Sequence, residues 1–364
     1  MSRLVFDSSS DPYPVNTFLE TASSYSLSVI VPARNEEDCV GDCLRSLAAQ
    51  SEPGWELGRE WEILLVDDGS TDRTRAIAQG IAGVTVMEAA APPKGWTGKA
   101  HACWTGWLAA RGEWLLFTDA DTVHEPGHLR LAMIEAERHK AGMLSYSPRQ
   151  VVTGLAQRTL MPLIFSELSM TYSPAKINDP ETHVAAANGQ FILVRREVYQ
   201  HIGGHEAVAD TVLEDVALAN LVKRRKLGLR FRYAPEAVSA RMYRSFGAMW
   251  EGWTKNLALL FGNPLPMAGM KLVQFAVIVG IPLLACFMWQ TTGRWTVAGL
   301  LLLVWLRALW GYYRRVAKSH FPFVDCLISP LGVPLLAALL WRSWFQHTMT
   351  RRVSWKGREY AGGR

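Results

Sequence analysis

No apolar run of leader length interrupts residues 1–26, where Asp, Ser and Pro are spread throughout. A secretory signal needs such a run, so none is expected, and the large front half is predicted to stay in the cytoplasm. Cysteine is scarce: Cys39, Cys43, Cys103, Cys286 and Cys326 are odd in number and lack the spacing of a metal knuckle. That excludes a disulfide framework as the source of stability. Cys39 and Cys43, four apart on a predicted helix, are expected to be buried thiols facing the core. Charge is thin as well, at 20% of residues against 49% hydrophobic. The 364 residues contain no internal repeat or low-complexity tract, and leave room for about two domains.

The apolar excess collects after Lys271. Segments 272–289, 295–313 and 324–341 are each long enough for a bilayer crossing and carry Trp, Tyr or basic residues at their flanks. Arg307 sits toward the end of the second, where it can snorkel. The net charge of +5 is carried partly by clusters beside these runs, at Lys223 to Lys226, Arg314-Arg315 and Arg351-Arg352. Such placement suits anionic lipid headgroups, and no nucleic-acid partner is expected. With the front half in the cytoplasm, the first segment exits and the second returns, leaving Arg314, Arg315 and Lys318 inside. Pro330, Gly332 and Pro334 interrupt the third, which predicts a kinked or re-entrant course and a cytoplasmic basic tail. Residues 245–260 read as a Trp-rich amphipathic helix at the membrane interface. Residues 155–170 are apolar and fit either that interface or a core.

The front half alternates. Strands are predicted at 26–32, 61–66, 84–87 and 114–118, with helices at 36–49, from the Ser70–Asp72 turn through Ile81, and at 99–110. Continuous apolar strands between helices predict an α/β fold with a parallel sheet covered on both faces. Beyond Met143 the pattern loosens, with strands at 191–194 and 229–233 and a helix at 213–226. The polar turns all follow strands, so they gather along one edge, where ligands of open α/β sheets bind.

That edge carries the chemistry. Asp119 and Asp121, two apart at the end of an apolar strand, suit a hard divalent cation whose shell phosphate oxygens complete; the plain alternative is a polar turn with an Asp cap. Gly95 and Gly98 before Lys99 let backbone approach phosphate, or mark a flexible loop with a solvated lysine. His101 is either a phosphate donor or a packed helix residue. Glu214 and Asp215 are either catalytic carboxylates or favourable acidic charge at a helix N-terminus, and both can hold.

Four runs in this order, Ser-Val-Ile-Val-Pro-Ala-Arg-Asn-Glu (28–36), Val-Asp-Asp-Gly-Ser-Thr-Asp (66–72), Thr-Asp-Ala-Asp-Thr (118–122) and Leu-Glu-Asp (213–215), resemble the family 2 glycosyltransferases. The resemblance covers roughly residues 26–256. It implies a GT-A (Rossmann-like) nucleotide-sugar-binding domain followed by C-terminal transmembrane helices. The implied limits are a tail to residue 25, a catalytic domain at 26–244, an interfacial helix at 245–265, a membrane region at 266–345 and a basic cytoplasmic tail at 346–364. By the same resemblance Asp68, Pro32 and Glu36 hold the nucleoside of a UDP- or GDP-linked sugar. Asp119 and Asp121 hold Mg²⁺ or Mn²⁺, Lys99 lies near the diphosphate, and Asp215 with Glu214 supplies the base of an inverting transfer.

Trp253, Lys255 and Gln190 become candidates for contact with acceptor or diphosphate. Processive members carry Gln-x-x-Arg-Trp on the interfacial helix; here Trp253 remains and the Arg is absent, which points to single transfer rather than a polysaccharide synthase. Trp253 and Trp250 equally suit anchoring in headgroups. The runs at 242–246, 250–256 and 353–360 are similar to bacterial glycosyltransferases of carotenoid and hopanoid pathways, which implies a membrane lipid acceptor and supporting roles for Lys356 and Arg358. Readings of another class are a membrane transporter with a cytosolic regulatory domain and a soluble-type nucleotidyltransferase.

Overall fold

The computed structural model describes residues 25–292, 295–350, 352–355 and 358–361. The tail before residue 25, Lys356 and the side chain of Arg358 lie outside the described residues. Apolar residues on both faces put β1 (Tyr25–Ala33) in the interior of the sheet: Leu27, Val29 and Val31 enter one core and Ile30 the other. The chain continues through α1 (Val40–Ala48), β2 (Trp61–Asp67), α2 (Thr74–Gln79), β3 (Val84–Glu88), α3 (Gly98–Ala109) and β4 (Gly112–Phe117). Next come β5 (Thr122–His124), α4 (His128–Arg138), β6 (Met143–Ser147), β7 (Arg149–Gln150), α5 (Leu155–Thr171) and α6 (Pro174–Asn178). The front half closes with β8 (Ile192–Arg195), α7 (Arg196–His201), α8 (Glu214–Arg224), β9 (Leu229–Tyr233) and β10 (Val238–Ala240).

Among the described residues the main sheet has seven strands in the order β3-β2-β1-β4-β8-β6-β9, and a small sheet runs β5-β10-β7. The expected all-parallel sheet is corrected at one strand. β8 runs against both β4 and β6, because α5 and α6 carry the chain beyond the carboxyl edge and it re-enters the sheet from there. The consequence is functional: the start of β8 joins the carboxyl ends of β1, β2 and β4 on one edge. Helices α1 and α4 cover one face, packing Val40, Leu44, Leu47, Ala132 and Ala136 onto it. Helices α3 and α8 cover the other, with Trp107 and Leu218. α3 approaches so closely that a Cβ on Gly106 would lie 2.5 Å from Ile30 Cγ2. The helix expected from residue 36 starts later, because the N–H groups of Glu36 and Glu37 bond to Thr74 and Asp72 across the loop after β2.

Ser245 caps α9 (Phe246–Phe261), its hydroxyl accepting from the Ala248 N–H. Then follow α10 (Leu265–Thr292), α11 (Trp295–Val316), α12 (Phe323–Ile328) and α13 (Val333–Phe345), and a hairpin of β11 (Arg352–Trp355) and β12 (Arg358–Ala361). Among the described residues three stretches are long and apolar enough to cross a membrane. Only 6% and 11% of the first two are buried, against 50% of the third, so α10 and α11 turn Leu283, Phe287, Leu303 and Val304 outward while the third packs inward. At the expected break the helix passes through a single tight turn, Ser329–Gly332, between α12 and α13. A Cβ on Gly332 would lie 2.4 Å from the Thr159 carbonyl, so this turn sits directly on α5.

α5 proves to be core. Leu160 and Ile164 pack with Trp253, Leu257, Leu336 and Leu340. Two ion pairs tie it to the apolar helices: Arg158 with buried Asp325 at 2.6 Å, and Glu167 with buried Lys271. Trp253 is 2% exposed and its indole N–H donates to the Met161 sulfur at 3.2 Å. Its expected places in the headgroups or against an acceptor are therefore corrected: it fills the junction between α5 and α9. Trp250 instead lies tilted against exposed Phe246, their ring centroids 5.5 Å apart.

Candidate functional site

A cavity of about 430 Å³ opens along the carboxyl edge of the sheet. Its first wall comes from the ends of β1 and β2. The Asp68 N–H donates to the Ala33 carbonyl at 2.8 Å, and the Arg34 guanidinium donates to the Asp68 carbonyl at 2.8 Å. Asn35, in the left-handed region at φ 53°, takes the Thr71 N–H on its side-chain oxygen at 2.9 Å. These stitches hold Pro32, Glu36 and Asp68 on one surface of the cavity.

The second wall is an electrostatic knot. Thr97 caps α3 by accepting from the Ala100 N–H, which sets Lys99 in the first helical turn. Its ammonium group lies 2.7 Å from Asp119 at the end of β4 and 2.9 Å from Glu214 at the start of α8. Burial opposes the charge, but Asp119, Glu214 and Asp215 outweigh it and hold the Lys99 pKa well above the usual range. The solvated-loop alternative for Lys99 is thereby excluded. Asp215 accepts from the Gly189 N–H at 2.9 Å and the Val216 N–H at 2.8 Å. Burial first and Glu214 second push its pKa up to about 6, against the opposing pull of Lys99 and those two N–H groups. A Cβ on Gly189 would meet Lys99 Nζ at 2.8 Å, so any larger residue in this turn displaces the lysine's charged end.

The third wall is α9 and the segment before it. Lys255 and Asn256 face the cavity, as do Arg241, Tyr243 and Arg244. The Arg241 N–H bonds to the Asp121 carbonyl at 3.1 Å, and the Arg244 guanidinium donates to the Asp38 carbonyl at 2.6 Å, joining this wall to the first. Burial lowers the Lys255 pKa, with Glu214 pulling the other way. Gln190 is buried at the start of β8; its amide oxygen accepts from Gln150 at 2.9 Å. Among the described residues its amide nitrogen has no hydrogen-bond partner.

Pro32, Glu36, Asp68, Lys99, Asp119, Asp121, Gln190, Glu214, Asp215 and Lys255 therefore line one cavity, although Pro32 and Asp215 are far apart in the chain, whereas Trp253 does not. Cys39 also lines it, its thiol 3.2 Å from a Glu36 carboxylate oxygen, so the expected pair of core thiols holds only for Cys43. His101 packs edge-on against Trp96, away from the cavity lining, which removes the phosphate-donor alternative. The Lys223 to Lys226 cluster lies at the other end of α8 from Asp215, and the Lys223 ammonium donates to the Ile177 carbonyl at 2.6 Å, clamping α6 rather than facing lipid. The sequence reading missed Asn188-Gly189, although Asn-Gly before a strand is a turn signal. It also gave no role to Arg34, Arg241 or Arg244.

The residues present fit a divalent metal. Asp119 and Asp121 offer hard carboxylate oxygens on one wall, and among the described residues no group of three such ligands could hold an ion alone. A site of that kind suits a cation that completes its shell with ligand phosphate oxygens. Six carboxylates and five Lys or Arg side chains line the cavity. A diphosphate arriving with a divalent cation adds little net charge to that balance.

An α/β sheet with a cleft of acidic and basic side chains at its carboxyl edge is the arrangement of a nucleotide-binding fold. The family model of glycosyl transferase family 2 matches residues 28–203, and the chain is a glycosyltransferase. Two relatives named 4,4'-diaponeurosporenoate glycosyltransferase are similar along nearly the whole chain. That of Staphylococcus aureus (strain MRSA252) is 29% identical over 353 residues, covering 92% of this chain and 88% of the relative. That of Staphylococcus aureus (strain bovine RF122 / ET3-1) is 28% identical over 354 residues, with the same coverage. Among solved structures, the mannosyltransferase PcManGT from Pyrobaculum calidifontis, in complex with GDP-Man and Mn²⁺, shares the fold. Its TM-score is 0.50 at 19% identity, covering 90% of this chain and 88% of that one.

Proposed function

We propose that this glycosyltransferase moves one hexose from a UDP- or GDP-linked sugar to a membrane lipid acceptor, with inversion. The observation that carries the reading is Asp215: a cavity carboxylate with its pKa raised to about 6, beside the Lys99–Asp119 bridge. A base works best with a pKa near the operating pH, and one displacement without a covalent intermediate inverts configuration. Pro32, Glu36 and Asp68 hold the nucleoside; a carboxylate accepts from a uracil or guanine N–H. Asp121, with Asp119, holds Mg²⁺ or Mn²⁺, which when bound stabilises the charge growing on the leaving diphosphate. Lys99 and Lys255 add fixed positive charge there, in a site where it needs no rearrangement. Asp215 takes the proton of the acceptor hydroxyl, and Glu214 holds Lys99 in place.

The apolar helices that adjoin α9 support a lipid acceptor, as do the relatives, which are named for a carotenoid-type lipid. The catalytic domain lies on the cytoplasmic face of the inner membrane, with Arg314, Arg315 and Lys318 on the same side. Mass spectrometry of lipid extracts, with and without expression of the chain, tests the reading. A hexose increment on a membrane lipid is expected. Its absence, with a hexose polymer in its place, would overturn single transfer to lipid.

A further inference from the structure

Three polar side chains lie buried beneath the Asp119–Asp121 loop: Thr118, Thr122 and His124. Buried polar groups are costly unless bonded, so their hydrogens can be assigned one by one. The Thr118 hydroxyl donates to the Gln190 carbonyl at 2.8 Å. The Thr122 hydroxyl donates to the Asp119 carbonyl at 2.8 Å. The two hydroxyl oxygens also lie 3.1 Å from each other; with each single hydrogen directed to the nearer carbonyl, neither hydroxyl donates to the imidazole. His124 Nε2 lies 3.1 Å from both hydroxyl oxygens. The ring is therefore the neutral Nε2–H tautomer, and its one N–H is shared between the two threonines. Nδ1, without a partner among the described residues, carries only a lone pair.

This N–H closes a circuit between two loops. One carries the Asp119 carbonyl and leads into Asp121. The other carries the Gln190 carbonyl, one residue from the Gly189 N–H that grips Asp215. Backbone pairing of β5 with β10, and the His124 backbone N–H donating to the Ser46 hydroxyl oxygen, hold the ring's own backbone in place. We propose that His124 is a positioning residue, whose Nε2–H keeps the metal- and diphosphate-facing carboxylates in register with the turn that orients Asp215. The proposal rests on the donor-site reading above.

The test is calorimetric titration of the full-length protein in detergent with UDP and with GDP, each in excess Mn²⁺ and again in EDTA. His124→Phe removes the N–H and keeps the ring's bulk; His124→Gln returns a side-chain N–H. Residues behind a metal ligand typically account for about 10–100-fold in affinity, so His124→Phe should weaken the Mn²⁺-dependent binding by about tenfold or more. Binding in EDTA, which relies on the nucleoside wall, should be unchanged, and His124→Gln should recover most of the loss. If His124→Phe fails to fold, Thr122→Val removes one acceptor of the same N–H and should give the same selective loss. Equal affinity with and without the substitution overturns the proposal. So does an equal loss in Mn²⁺ and EDTA, which marks a purely structural role, or a failure of His124→Gln to rescue. A wild-type protein that gains nothing from Mn²⁺ with either nucleotide overturns the donor-site reading itself, and this inference with it.

Discussion

Replacing Asp215 with Asn keeps the shape of the side chain and removes its ability to take a proton. Two backbone N–H groups, from Gly189 at 2.9 Å and Val216 at 2.8 Å, face the two carboxylate oxygens. An amide offers one oxygen to those two donors, so the local structure is nearly kept and one hydrogen bond is lost. A positioned base contributes about 10²–10⁴-fold, so kcat should fall by that factor, or about 2.7–5.4 kcal/mol of barrier. The pH dependence sharpens the test. Because the Asp215 pKa is raised to about 6, the proton-accepting form is present above that pH and lost as pH falls through it. Roughly nine-tenths of it is ionised at pH 7 and about one-tenth at pH 5. Wild-type kcat should therefore decline through this window, and the residual rate of Asp215→Asn should not. Lys99 keeps Asp119 and Glu214 at 2.7 and 2.9 Å, so donor binding measured by calorimetry should persist. A variant retaining more than about a tenth of wild-type kcat, or the same acid limb, would remove Asp215 from the base role.

Asp121→Ala should abolish metal-dependent donor binding in the same calorimetric assay; unaltered binding contradicts its assignment to the metal. Gly189→Ala places a Cβ 2.8 Å from the movable end of Lys99, so Tm should barely change while kcat falls about tenfold to a hundredfold from misplaced charge. A matching loss of Tm would locate its role in folding instead. Lys271→Met on α10 leaves Glu167 of α5 without its partner; breaking a buried pair costs about 3–5 kcal/mol, and Lys271→Met with Glu167→Leu should recover most of it. Thermal unfolding in detergent reads both, and a double variant no more stable than the single one refutes the pairing argument.

The alternation of β1 to β4 with α1 to α3 is legible along the chain because strands buried on both faces stay apolar throughout, while their turns are polar. That pattern puts Asp68, Asp119 and Asp121 at strand ends without any knowledge of the fold. β8 was legible as a strand but not in its direction, which depends on where α5 and α6 leave the chain before it re-enters the sheet. Trp253 misleads for a related reason. A Trp on an amphipathic helix reads the same whether its face meets lipid or another helix, and α5 and α13 decide that here.

Local composition and spacing determined by themselves the α/β class, the apolar helices at the end and the identity of the acidic residues, since hydrophobic periodicity and turn chemistry act between near neighbours. Only the tertiary structure decided that Lys99 bridges Asp119 to Glu214, that Gly189 grips Asp215, and that His124 ties two loops together. Those contacts join residues remote in sequence. Their strength comes from burial and from distances near 3 Å, which exist only once the sheet has brought its carboxyl edge together.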